Sequence, residues 1–198
     1  MIYLLLIAIF VAIDHLLKLF VVSTLDVGQS VTLIDGVFDF TYVQNMGAAF
    51  GILEGKKELL IIIAGVLILV MFIYMLVHRR RCRPYGYPYR LTNISLSLII
   101  AGGIGNLIDR FLQGYVVDFI QFKVFTFPVF NFADICVVFG AFLLIISVFA
   151  GSEKKESAKR KKNYEKNRNA QKRLKEEYEE KDQEIRERIK EERKQGRN

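Results

Sequence analysis

Asp14, Lys18, Asn106, Asp109, Arg110, Asp118, Asn131 and Asp134 are the polar residues whose types and spacing could do chemistry here, because each lies in or beside a long apolar run. An ionisable side chain inside a bilayer span costs about 2.5–3.5 kcal/mol on insertion scales, so such residues are functional candidates by default. Asp14 and Lys18 are four apart. Asn106, Asp109 and Arg110 are spaced by three and four, and Asn131 and Asp134 by three, so each set shares a helix face. The chemistry on offer is that of carboxylates. With only His15 and His78, and with Cys82 and Cys136 lacking a CxxC or Cys/His partner, a zinc site, a His-rich metal centre and a disulfide scaffold are all excluded. No metal or cofactor is expected. His15 neighbours Asp14 but points to another face and reads as a packing histidine. Cys136 reads as an inert packing residue, and Ser95 and Ser97 as back-bonding or packing serines.

Asp109, Asp118 and Asp134 remain. Two aspartates close together in a low-dielectric site cannot both ionise easily, so one keeps a proton while the other stays charged. A water between them meets a base on one side, and a peptide carbonyl meets an acid on the other, which is the arrangement of an aspartic protease. The bland alternative is that the carboxylates are ion-paired to Arg110 and Lys18 and hold helices together. That alternative is favoured for Asp109, which adjoins Arg110, and for Asp14 with Lys18. Asp118 and Asp134 have no adjacent base, and for them a functional role is favoured. The residues alone leave Asp109 open as a member of the pair.

The elements that must position these groups are membrane helices. Met1–Val22, Leu59–Val77, Leu91–Ile108 and Val129–Phe149 are apolar and each close to the ~20 residues that cross a bilayer. The first lacks a basic leader and a small-residue cleavage site, so it reads as a retained span. The segment 78–90 holds five Arg and no acid, while loops 23–58 and 109–128 are weakly charged, so the basic segments and both termini are expected in the cytoplasm and the two loops outside. The polar groups then converge just beneath the outer surface, and the inner halves of spans two to four are almost purely apolar, a pattern of a site rather than a pore. Ser30–Ile34 and Phe38–Val43, joined by Asp35-Gly36, predict a small outer hairpin or sheet. Gly102, Gly103 and Gly105 thin one side of the third span, serving helix packing or substrate entry equally well. Residues 151–198 carry 18 Lys/Arg and 12 Asp/Glu of the chain's 28 and 21, a net of +6. This charged tail is too polar for a core and is expected to form a solvated, frayed helix able to touch anionic lipid. It lacks stacking aromatics and a fold of its own, so no nucleic acid is expected as a partner. The predicted architecture is an all-α membrane protein: a four-helix transmembrane domain over 1–150 and a cytoplasmic tail over 151–198.

Five motifs in order, DHLLK at 14–18, NMGAAF at 45–50, GGIGNLIDR at 102–110, VVDF at 116–119 and FNFAD at 130–134, resemble those of the lipoprotein signal peptidase (signal peptidase II) family across 1–150. The resemblance implies a bacterial inner-membrane aspartyl endopeptidase with four spans. Such an enzyme removes signal peptides from diacylglyceryl-modified prolipoproteins, cutting before the lipidated cysteine. It implies Asp118 and Asp134 as the catalytic pair. Asn45, Gly47, Asn106, Arg110 and Asn131 fall on positions that contact substrate or shape the pocket, and Asp14, Lys18 and Asp109 on supporting polar positions. Choosing Asp118 over Asp109 rests on the family. Met46 departs from the small polar residue common there, and the tail is longer than the family requires. Two other classes compete. A proton-coupled transporter would use Asp14, Lys18, Asp109 and Asp134 as a relay, with polar groups reaching the inner side. A membrane scaffold would depend on its tail.

Overall fold

A computed structural model describes residues 1–47, 55–82, 89–124, 127–150, 163–169 and 173. The chain divides into two units, Met1–Ala150 and Gly151–Asn198. In the second, residues 163–169 are helical, and the rest of the expected tail helix lies outside the described residues.

Four helices of the first unit are long and apolar enough to cross a membrane. They are α1 (Ile2–Thr24), α2 (Lys57–Cys82), α3 (Tyr89–Leu112) and α4 (Phe132–Ala150). The apolar runs predict all four, with ends shifted by a few residues. α2 and α3 run on past Val77 and Ile108 to Cys82 and Leu112, and α4 starts at Phe132 rather than Val129 because Asn131 caps it. α3 is the central helix and more than half buried, whereas the others turn most of their surface outward. Outward side chains such as Ile62, Val66 and Ile73 on α2 suit a lipid solvent, which satisfies no backbone group and so favours helices.

Lipid offers helices little hydrophobic reason to associate, so close approach at small residues does the work. A Cβ on Gly102 would run into the Ala133 carbonyl and Val137 of α4, one on Gly105 into the Asp14 carboxylate of α1, and one on Gly140 into Ile99 and the Ser95 carbonyl. The glycines of α3 are therefore packing residues, which resolves the choice left open above. Ile7, Met75, Leu96, Ile100 and Ala101 form the core between α1, α2 and α3. Ser95 and Ser97 bond back to the carbonyls of Leu91 and Asn93, each at 2.7 Å, as expected of packing serines. The far half of α3 is less apolar than expected: Thr92 bonds Ser147 of α4 at 3.2 Å, and Asn93 is fully buried with no hydrogen-bond partner for its amide among the described residues.

At the other end of the bundle lies a three-stranded antiparallel sheet, β1 (Ser30–Ile34), β2 (Phe38–Asn45) and β3 (Val116–Phe122), in that order. β1 and β2 match the predicted hairpin, with Gly36 at φ 69° in its turn. β3 was not anticipated as a strand. Its alternation is clear in place: Val117 and Phe119 join Val21, Leu25 and Tyr42 in a second core, while Val116, Asp118 and Phe122 line a cleft.

Candidate active site

A β-bulge decides which side chains meet Asp118. Phe40 pairs with Ile120, but Val43 pairs with Asp118 and Asn45 with Val116, so the register shifts by one residue between Phe40 and Val43. A one-residue slip exchanges the faces of a strand. Beyond the bulge the face of β2 that carries Val43 and Asn45 is the face of β3 that carries Asp118, and the Asn45 amide donates to Asp118 Oδ2 at 2.8 Å. The Asn45 oxygen is occupied by the Gly47 N–H at 2.9 Å, which turns the amide nitrogen toward the carboxyl.

Asp134 is placed by the start of α4. Phe130 pairs with Ile120, bringing the helix N-terminus beside β3. The first N–H groups of a helix have no partner inside it. Here the Asn131 side chain accepts from the Asp134 N–H at 3.0 Å and the Asp134 carboxylate accepts from the Asn131 N–H at 3.1 Å, a capping box built from Asn and Asp. The Ala133 N–H goes to Asp14 Oδ1 of α1 at 2.9 Å. Asn131, fully buried, has its oxygen spent on the cap, so its amide nitrogen faces the acids. It donates to Asp118 Oδ1 at 2.6 Å and to Asn106 Oδ1 at 3.1 Å. Asn106 in turn donates to Asp134 Oδ1 at 2.8 Å. Asp118 and Asp134 are thus two carboxyl groups joined through Asn131.

Lys18 fills the space behind. Its ammonium meets Asp14 Oδ2 at 2.8 Å, Asp109 Oδ2 at 2.9 Å and Asn106 Oδ1 at 2.9 Å, with all three ionisable groups about 2–3% exposed. Asp109 also accepts from the Val117 N–H at 3.3 Å. The expected pairing of Asp14 with Lys18 is present. Asp109, however, pairs with Lys18 rather than Arg110, since neighbours in a helix point about 100° apart. Arg110 instead donates to the Gly47 carbonyl at 2.8 Å and to the Asn106 carbonyl at 3.3 Å, tying α3 to the end of β2. His15 makes none of these contacts, and Cys136 is a buried free thiol. No group of His, Cys, Asp and Glu arranged to hold a metal occurs among the described residues.

Asp118 and Asp134 both line a cleft of about 1060 Å³, with Asn45, Gly47, Asn106 and Arg110. Its other walls are apolar and include Phe122, Phe127 and Phe130 above and Ile135, Val138, Phe139 and Phe142 along α4. Burial first, and then the charge of Asp134, push the Asp118 carboxyl up to about 7, against the pull of the Asn45 and Asn131 hydrogen bonds and of Lys18. Near neutrality this site can hold one proton on one of two linked carboxyls. Six of the ten expected site residues line the cleft, and Asn131, Lys18, Asp14 and Asp109 are linked to them by hydrogen bonds and ion pairs; residues 48–50 of the NMGAAF motif lie outside the described residues. The residue that sequence reasoning undervalued is Asn131, whose Asn-x-x-Asp spacing ahead of an apolar run is a capping signal.

The profile of the signal peptidase (SPase) II family matches residues 6–150. A lipoprotein signal peptidase of Halothermothrix orenii is 44% identical over 136 residues, covering 69% of this chain and 87% of the relative. One from Clostridium tetani is 42% identical over 141 residues, covering 70% and 86%. A solved bacterial membrane enzyme superposes with a TM-score of 0.68 at 31% identity, covering 77% of this chain and 90% of its own. A family profile spanning three quarters of the chain and this shared fold lead to one conclusion: the chain belongs to the signal peptidase II family of aspartyl endopeptidases.

Proposed function

We propose that this protein removes the signal peptide from diacylglyceryl-modified prolipoproteins, cutting before the lipidated cysteine, with Asp118 and Asp134 as the catalytic dyad. The observation that carries the reading is Asn131, which binds both carboxyls at the mouth of an apolar cleft. Asp118, with its raised proton affinity, is the acid, and Asp134 the base. Asp134 takes a proton from water as the water oxygen attacks the scissile carbonyl carbon, and Asp118 gives its proton to the carbonyl oxygen. The tetrahedral diol then collapses: Asp134 passes its proton to the leaving nitrogen, a hydroxyl proton returns to Asp118, and the C–N bond breaks. Each carboxyl ends as it began.

The cleft suits the substrate. Val138, Phe139 and Phe142 are 68, 53 and 57% exposed, so the wall along α4 is open to the side, where acyl chains and a signal helix in the bilayer can enter without crossing water. With the Arg-rich segment 78–90 and both termini in the cytoplasm of a bacterial cell, the sheet and dyad lie near the outer face of the inner membrane. Asn45, Gly47 and Arg110 line the cleft where the substrate backbone would pass, and Asp14, Lys18 and Asp109 support the dyad from behind through the Ala133 N–H, Asn106 and the Val117 N–H.

The test is cleavage by the purified protein of a prolipoprotein with and without its diacylglyceryl group, read by product mass. A product beginning at the lipidated cysteine, with little turnover of the unmodified chain, is expected. Cleavage elsewhere, or equal turnover of both, contradicts the substrate assignment.

A further inference from the structure

Every asparagine at the site has its oxygen held by a group that can only donate: Asn45 by the Gly47 N–H, Asn131 by the Asp134 N–H, and Asn106 by the Lys18 ammonium. Each amide nitrogen is thereby turned to a carboxyl oxygen. The first two donors are backbone groups within the same loop or helix cap. The third is a charged side chain from another helix, 88 residues away in sequence. Asn106 also accepts from Asn131, but at 3.1 Å against 2.9 Å from Lys18, and only the bond from Lys18 is charge-assisted.

We propose that Lys18 is a positioning residue for the dyad, holding and polarising the Asn106 amide so that its nitrogen donates to Asp134 Oδ1. The inference rests on the dyad reading above. Lys18 is buried and does not line the cleft, and Asn106 is the side chain through which its hydrogen bonds continue to a dyad carboxyl, while its charge also draws on Asp118 through space. The chain runs from ammonium to carbonyl, and from amide to carboxylate. Hydrogen bonds linked in this way strengthen one another in a low dielectric. Arg110 on α3 and Asp118 on β3 feel the charge of Asp134, and Lys18 on α1, with Asp14 and Asp109 as its ion-pair partners, bonds the Asn106 that donates to Asp134. Of the two cations, Lys18 is the one bonded to Asn106 Oδ1, whereas Arg110 bonds the Asn106 backbone carbonyl. A purely structural lysine, joining α1 to α3 through Asp14 and Asp109, would not need that third bond.

A double-mutant cycle in the full-length enzyme on a diacylglyceryl-modified prolipoprotein separates the two roles. Lys18→Met is expected to lower kcat by about tenfold or more, the worth of one hydrogen bond to a charged group, with KM little changed. In an Asn106→Ala background the same substitution is expected to cost less than about threefold. Because Lys18→Met strands Asp14 and Asp109, the neutral variant Asp14→Asn/Lys18→Met/Asp109→Asn is measured beside it. It is expected to fold, by its melting curve, and still to lose kcat. Equal losses with and without Asn106, or full kcat in the folded neutral variant, overturn the inference and leave the dyad standing. Turnover by Asp134→Asn removes the dyad and this inference with it.

Discussion

At the scale of single residues, Asn131 does three things with one side chain and one N–H: it caps α4, binds Asp118 and anchors Asp134. Asn131→Ala should cost about 1–2 kcal/mol for the cap alone, seen as a lower melting temperature, and about tenfold or more in kcat from the hydrogen bond to Asp118 that it removes, the backbone N–H to Asp134 remaining. Asp118 sets a pH dependence. If it must enter the reaction protonated, kcat/KM falls as pH rises through about 7, roughly tenfold per unit beyond, while the apparent values belong to the pair. The stability sign is fixed by the same shift. The unfolded carboxyl ionises at 3.8 and the folded one at about 7, so the folded state holds the extra proton in between. The contribution of Asp118 is full below pH 3.8 and lost as pH rises to about 7, which melting temperatures across that range will show. While the choice of Asp118 over Asp109 came from the family resemblance, Asp118 and Asp134 were legible as candidates from their polarity in apolar surroundings. The partner of Asp109 was not, because Lys18 approaches it from another helix and nothing local in NLIDR announces that.

At the scale of elements, α3 is the reference on which the others are set. Gly102→Ala should push α4 away through the Ala133 carbonyl, since a backbone atom has little room to yield, and lower stability by about 1–3 kcal/mol, with kcat falling as Asp134 moves. Calorimetry and turnover on the same preparation check this. The four spans were readable because twenty apolar residues admit one interpretation in a bilayer. β1 and β2 were readable because a local turn signal joins them. β3 was not: VVDFIQF lies between α3 and Phe130, and its partner β2 is more than seventy residues away, so its strand character appears only when the sheet forms. The bulge between Phe40 and Val43 is likewise invisible in sequence, yet it puts Asn45 on the face of Asp118.

At the scale of the whole molecule, charge and chemistry are separated. The first unit holds every group of the site, and the second holds most of the chain's net charge. We propose the first as the peptidase domain and the second as a dispensable tail. Removing 152–198 is expected to leave kcat of the purified enzyme within about twofold, since every proposed site residue belongs to the first unit and mutational costs at independent sites do not propagate. A scaffold would fail on that truncation. A transporter relay is disfavoured by the far half of the bundle, where the buried polar residues Thr92, Asn93, Ser95, Ser97 and Ser147 are all uncharged. The central claim is the Asp118–Asp134 dyad, and its most direct test is cleavage of a diacylglyceryl-modified prolipoprotein by purified wild type, Asp118→Asn, Asp134→Asn and Asp109→Asn. The account predicts that wild type cuts before the lipidated cysteine, that the first two variants remain folded and lose all detectable turnover, and that Asp109→Asn keeps a measurable kcat. Turnover by folded Asp118→Asn together with its loss in Asp109→Asn would contradict it.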